Sequence, residues 1–325
     1  MRLRRPLALI ALALAGVLVT AGCGGSSAEE SSSVDGSAAI SVDTAFGEVT
    51  LDEKPTRVVA LGWGDAETAL ALGVQPVGAS DWLAFGGEGV GPWAEGMYDE
   101  APELIGTLEP ELEKVAALKP DLILDTKSAG TKERYDALAK IAPTVSIKEG
   151  GEQYNTSWED QVDLVSAALG VSEKGEQLVA DTKDEFTATA AEYPQFKGKT
   201  AVVGALTSEG YGAYVARDSR VQFLTALGFI DKPEIAELAG DSFSIDVSRE
   251  QLDLLDADLT VITTIGVENS AVTSDELLAQ VPSVRDGHLV TFDDATSLAF
   301  STNTVLSIGA ALESVPPILA SKLAS

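Results

Sequence analysis

Residues Val171–Tyr193 read VSEKGEQLVADTKDEFTATAAEY. Val171, Gly175, Leu178, Val179, Thr182, Phe186 and Ala190 recur at threes and fours, while Glu173, Lys174, Glu176, Lys183, Asp184 and Glu185 fill the opposite side. That is the pattern of a long helix with one apolar stripe. Ser172 is placed to cap its start, and Pro194 ends it, because the residue before a proline is pushed out of helical geometry. At ~1.5 Å per residue, about twenty residues reach roughly 30 Å, the width of a small domain. A rod of that length predicts two lobes joined by one helix, with the functional groove between them.

On either side of the rod the chain alternates between strand and helix patterns. Ile40–Thr44 and Glu48–Leu51 flank Ala45-Phe46-Gly47 as a hairpin, and Arg57–Leu61, Asp65–Leu72 and Val77–Ala79 read as a βαβ unit. Glu111–Leu118, Asp121–Asp125, Thr131–Lys140 and Thr144–Ile147 continue the alternation, and Thr156 or Ser157 caps a helix over Trp158–Leu169. Beyond the rod come strands at Thr200–Ala205 and Gly212–Ala216 and helices at Ser219–Leu227 and Arg249–Leu255. Strands at Leu259–Thr263 and His288–Thr291 enclose a helix at Ser274–Gln280, and a helix at Thr302–Leu319 closes the chain.

The predicted architecture is α/β, two lobes with central, mostly parallel sheets: 40–170, the rod 171–193, and 194–325. A weak internal repeat agrees. Ala69–Val74 and Leu224–Phe229 end helices alike, and Leu118–Leu122 and Leu255–Leu259 introduce strands alike.

Residues 1–22 lie apart from the fold. Arg2, Arg4 and Arg5 precede the apolar run Leu7–Thr20, which is too short for a permanent bilayer span. Thr20-Ala21-Gly22-Cys23 resembles a bacterial lipobox, departing from it at Thr20, where leucine is usual; the resemblance implies cleavage and lipidation of Cys23. Residues 23–39 are small and polar, a flexible tether. The protein is expected outside the cytoplasm, lipid-anchored to the outer face of the cell membrane, touching the membrane through that anchor only.

Among 325 residues, 22 are basic and 51 acidic, a formal charge of −29. That sign opposes nucleic acid and anionic headgroups, so no nucleic-acid partner is expected. Cys23 is the only cysteine and His288 the only histidine, so a His-rich cage for a bare cation is not available and no metal site is expected. Adjacent Asp293 and Asp294, placed on a strand, point apart. The chain has no GxSxG and no GK[ST] phosphate loop, and no Ser–His–acid set beyond this one histidine. It is therefore read as a non-enzyme with no cofactor.

The segments RVVALGWGDAETALALGVQPVGA (57–79), LEKVAALKPDLILD (112–125), YVARDSRVQFLTALGF (214–229) and STNTVLSIGAALE (301–313) together resemble the substrate-binding lipoproteins of iron–siderophore ABC importers. Relatives of that family bind cobalamin or haem. The resemblance covers about Phe46 to Leu319. It implies a monomer that holds a ferric siderophore between two lobes and delivers it to an ABC importer permease. Alternatives are a cobalamin- or haem-binding protein of the same fold and, from another class, a cell-surface hydrolase.

A ferric siderophore is bulky, with an apolar or aromatic rim and an oxygen-rich centre, so aromatic faces and an arginine suit it. Trp63 follows the first strand, at the end of the sheet where α/β folds place ligands. Trp82, Phe85 and Trp93 lie in a glycine-rich stretch with Tyr98 just after it, and Trp158 opens a helix. Of Tyr154, Tyr211 and Tyr214, one or two are expected to face the groove. The resemblance points to Arg217, with Arg220 as runner-up, as the basic residue reaching the iron centre, and to Phe300, beside Ser301, as the groove edge. It also points to Glu67 as an acid on the outer rim that pairs with a permease arginine. Few arginines in an acidic protein favour a neutral or cationic hydroxamate chelate over a triply anionic catecholate.

Overall fold

Short, predominantly apolar runs such as Val58–Ala60 and Leu122–Asp125 are what strands covered on both faces look like in sequence. They form the middle of a sheet. In the computed structural model, residues 39–324 are described, apart from Trp82, Thr107 and Asp241. The expected leader, Cys23 and nearly all of the tether lie outside the described residues, as does Trp82.

The first half contributes β1 (Ile40–Thr44), β2 (Gly47–Leu51), β3 (Val58–Ala60), β4 (Gly78–Ser80), β5 (Glu103–Ile105), β6 (Leu122–Asp125) and β7 (Thr144–Ser146). β1 and β2 form the expected antiparallel hairpin. The others make a five-stranded sheet in the order β5-β4-β3-β6-β7, every pair parallel. Side chains alternate across β6. Ile123 packs with Val59, Ile105 and Leu138 on one face, while Leu122 and Leu124 meet Leu164, Val165 and Leu169 on the other.

The second half contributes β8 (Thr200–Thr207), β9 (Gly210–Tyr214), β10 (Ile230–Asp231), β11 (Ser244–Val247), β12 (Leu259–Thr264) and β13 (Leu289–Val290). They form a six-stranded sheet, β11-β9-β8-β12-β13, with β10 also on β8. β8, β10, β12 and β13 run parallel, while β9 is antiparallel to both β8 and β11. This sheet is therefore mixed. The repeat holds for the central strand and its follower, since β3 pairs with β6 as β8 pairs with β12; the opposite edges differ.

The rod is the helix Ser172–Glu192. Its first cap is the Val171 backbone, not a Ser172 side chain. Gly175, Thr182 and Phe186 are its buried positions. Glycine is required at 175 because an added Cβ would stand 2.2 Å from Ser166 Oγ of the helix Trp158–Ala168. One apolar cluster runs through the seam, taking Trp158 and Val162 from that helix and Phe186 from the rod. Val203 and Val261 join it from the second sheet, and Ile308 and Val315 from the terminal helix Val305–Leu323. The rod therefore shares the bridging: the terminal helix packs against it and against the first-half helix Asp65–Ala71.

Several elements differ from expectation. The closing helix is two, Asp294–Thr302 and Val305–Leu323, separated at Asn303, whose φ of 51° is left-handed. Thr304 then caps the second with its side chain. Asp293 is no strand residue but the side-chain cap of the first. The 249–255 segment holds only a 3₁₀ turn, Leu252–Leu255, and the 274–280 segment only the 3₁₀ turn Leu278–Gln280, with short helices on either side at Asn269–Thr273 and Pro282–Arg285. β5, β10 and β11 and the helix Pro233–Ala239 were unforeseen.

Candidate functional site

The centre of the site is assembled where β3 and β6 end side by side, the end of a parallel sheet where loops diverge and ligands bind. After β3 come Gly62, Trp63 and Gly64, and after β6 come Thr126, Lys127 and Ser128. Asp65, first residue of the next helix, ties the two loops together. Its buried carboxylate accepts hydrogen bonds from Gly62 N at 3.1 Å, Thr126 N at 2.9 Å and Gln161 Nε2 at 2.7 Å, and also from Thr126 Oγ1. Burial raises its pKa to about 6 against the pull of those bonds. Gly64 must be glycine: its φ is 79°, and a Cβ there would meet Thr304 Cγ2 at 2.4 Å.

This hub sets Trp63 and Lys127. Trp63 N donates to Lys127 O at 2.8 Å. The Trp63 ring packs on Tyr154 with centroids 4.3 Å apart. Tyr154 holds a left-handed φ of 56° while its N–H donates to Ser128 O at 2.8 Å. The Lys127 side chain is 7 % exposed. Burial lowers its amine pKa to about 8, although Asp218 and Asp65 attract the proton; Arg220 adds repulsion.

Asp218 and Arg220 come from the second half. Asp218 caps the helix Ser219–Ala226, accepting from Arg220 N at 2.9 Å. The Arg220 fork returns to the same carboxylate at 2.8 and 2.7 Å, a bidentate charge-assisted pair. Its guanidinium carbon sits 3.7 Å from the Tyr214 ring centroid. Tyr214 in turn stacks with Phe243 at 6.4 Å, and Phe243 is 51 % exposed. Arg217 pairs with Glu152 of the first half, across a recess of about 330 Å³ lined also by Lys148, Asn155 and Gln222. The two halves thus present a tryptophan–tyrosine pair and an ammonium on one side, and a cation–aromatic stack on the other.

A family model described as Periplasmic binding protein matches residues 58–296. The chain belongs to that family.

Among relatives of this periplasmic binding protein is the probable siderophore-binding lipoprotein YfiY of Bacillus subtilis, 28% identical over 90% of this chain and 92% of its own length. The Fe(3+)-citrate-binding protein YfmC of the same organism is 26% identical over 67% of this chain and 66% of its own. Among solved structures, Streptococcus pneumoniae PiaA in complex with ferrichrome is 32% identical, with a TM-score of 0.75 over 88% of this chain and 99% of that one. The family and these relatives are substrate-binding transport proteins, and the two-lobed α/β fold expected from the sequence is theirs.

Within this periplasmic binding protein the expected site residues divide. Trp63, Tyr214, Arg217 and Arg220 gather around the cluster just described. Trp158 is 7 % exposed and belongs to the seam core, with Lys183 Nζ 5.9 Å from its ring. Tyr98 is buried in a first-half core with Ala60, Leu70 and Ala79, and burial pushes its hydroxyl pKa up. Tyr211 lies on the opposite face of β9 from Tyr214 and donates its hydroxyl to Asp275 at 3.1 Å. Phe300 is core, packed on Phe223 and Phe292. Tyr98, Tyr211 and Phe300 therefore pack within cores, while Trp158 also lines a recess with Ser219, Gln222 and Phe223 of the second half.

Glu67 is corrected most sharply. It is 2 % exposed and so is not on an outer rim. Its carboxylate accepts from Gly91 N at 3.0 Å, Trp93 Nε1 at 2.8 Å and Thr304 Oγ1, and burial raises its pKa. It clasps the terminal helix to the first half and uses the polar edge of Trp93, whose ring also meets Phe85 edge-on at 5.9 Å. Trp93 is thereby a seam residue. His288 offers its backbone carbonyl to Thr260 N at 3.1 Å. Among the described residues no group of three or more His, Cys, Asp or Glu is arranged for a metal ion.

Asp65, Lys127 and Phe243 were missed. A signal for the first two was present: Gly62-Trp63-Gly64-Asp65 and Asp125-Thr126-Lys127-Ser128 each follow a central strand.

Proposed function

We propose that this protein captures a ferric siderophore in the groove between its lobes and delivers it to the permease of an ABC importer. The observation that carries the reading is that the first half offers the Trp63–Tyr154 pair beside Lys127 and the second half the Arg220–Tyr214–Phe243 stack, with Lys127 within electrostatic reach of Asp218 and Arg220. Aromatic faces suit the rim of a bulky chelate, and buried cations suit its oxygens. The similarity to PiaA, seen with ferrichrome, supports a hydroxamate-type guest over a triply anionic catecholate. We further read the protein as a monomer anchored outside the cytoplasm by a lipid on Cys23.

Titration of the purified protein with ferrichrome, ferric enterobactin, cobalamin and haem, followed by tryptophan fluorescence, tests this. Saturable quenching by an iron chelate is expected. Quenching by cobalamin or haem alone would overturn the siderophore reading, and turnover of generic esters or glycosides would point to a hydrolase.

A further inference from the structure

Three cations approach the groove: Arg217, Arg220 and Lys127. Arg220 has both arms of its fork on Asp218, and Arg217 is paired with Glu152. Lys127 differs. Its ammonium has no hydrogen-bond acceptor among the described residues, although the residue is only 7 % exposed.

The charged groups acting on it are Asp65 from its own half and Asp218 and Arg220 from the other, which puts the ammonium at the junction of the two. Neither acid is at liberty to neutralise it. Four donors already converge on Asp65, and Asp218 is filled by Arg220. Nor can the loop readily swing the lysine into water. Lys127 O holds Trp63 N, the preceding Thr126 is bonded to Asp65, and the following Ser128 donates to Asp125 Oδ2 at 2.9 Å. An ammonium at the end of so withdrawn a side chain, with no protein acceptor, is poorly solvated, and an anionic oxygen brought in by a guest supplies the missing partner.

We propose that Lys127 is the anion anchor of the groove and that the chelate this protein carries presents a carboxylate or α-hydroxycarboxylate oxygen to it. The inference rests on the ferric-chelate reading above but departs from its preference for a purely hydroxamate guest. One uncommitted ammonium matches one extra negative oxygen: it disfavours a cationic hydroxamate and leaves a triply anionic catecholate largely uncompensated. A lysine, a compact charge with three donors, donates to a single carboxylate oxygen without the planar match an arginine exploits.

The test compares three probes of different charge, ferric citrate (anionic), ferrichrome (neutral) and ferrioxamine B (cationic), on the wild type, Lys127→Met and Lys127→Arg. Tighter binding of ferric citrate than of ferrioxamine B is expected. Lys127→Met should weaken ferric citrate by about tenfold or more, the scale of a charged hydrogen bond, and change ferrichrome by less than about threefold. Lys127→Arg should keep most of the ferric citrate affinity. Equal losses for all three probes, unchanged ferric citrate binding in Lys127→Met, or a preference for ferrioxamine B would overturn the proposal while leaving a ferric-chelate carrier standing. Failure of every iron chelate to bind the wild type would remove the ferric-chelate reading itself, and this inference with it.

Discussion

Arg220 holds its guanidinium carbon 3.7 Å from the centroid of the Tyr214 ring. The same guanidinium spends two arms on Asp218, so one side chain is fixed from its face and from its edge. The side chains of Arg220 and Asp218 are 15% and 8% exposed, and removing one partner strands the other charge. Arg220→Ala should therefore lower unfolding free energy by about 3–5 kcal/mol. Arg220→Lys should restore the charge but not the fork and recover only part of that loss. Urea denaturation of both variants checks this; equal stability of wild type and Arg220→Ala would mean the pair contributes nothing.

Lys127 carries the opposite expectation for stability. Its pKa in the folded protein is about 8, below the ordinary lysine value of 10.5, so between those values the unfolded chain binds more protons. Wild-type stability should therefore rise with pH across about 8 to 10.5, where a cost on the order of 3 kcal/mol is relieved. Lys127→Met should be at least as stable as wild type at pH 7 and lack that rise. Unfolding midpoints at pH 7 and 10 decide the matter.

Asp65 accepts four hydrogen bonds that join three separate pieces of chain. Asp65→Asn replaces one accepting oxygen with a donor among donors and should cost about 2–4 kcal/mol. Because the folded pKa of about 6 lies above the ordinary aspartate value of 3.8, the native state binds more protons between them. Wild-type stability should then fall as pH rises from about 4 to 6, and Asp65→Asn should lose that slope. Stability–pH curves of the two proteins test both statements.

Trp158 and Glu67 are expected to report on the fold before they report on binding. Trp158→Ala empties a buried site shared by two helices and the second sheet and should cost about 3–5 kcal/mol. Glu67→Ala leaves the donors Gly91 N, Trp93 Nε1 and Thr304 Oγ1 without their acceptor and should cost about 2–4 kcal/mol. A shifted Trp93 emission is expected with it. Calorimetric melts showing wild-type stability for either variant would contradict the placement.

Much of the α/β alternation was legible because apolar periodicity is a local property. The stripe over 171–193 announced a helix that runs over Ser172–Glu192, and RVVAL and DLILD announced β3 and β6. The site was less legible. Tyr211 and Tyr214 look alike in sequence, yet an odd spacing on one strand sends them to opposite faces. Short segments such as β5 and β10 carry too few residues for a period to show. Glu67 looked like a solvated acid on a helix until Thr304, 237 residues away, supplied its cover.

By itself, then, the sequence determined the central strands and longer helices, the rod between the two halves, the excess of acid and the single histidine, because each is written in neighbouring residues or in a count. Only the tertiary structure decided which aromatics are wall and which are core, and that Lys127 rather than an arginine is left without an acceptor. Those outcomes depend on strand register and on which polar groups meet across 60 to 240 residues of chain, and a hydrogen bond to a distant partner leaves no local trace.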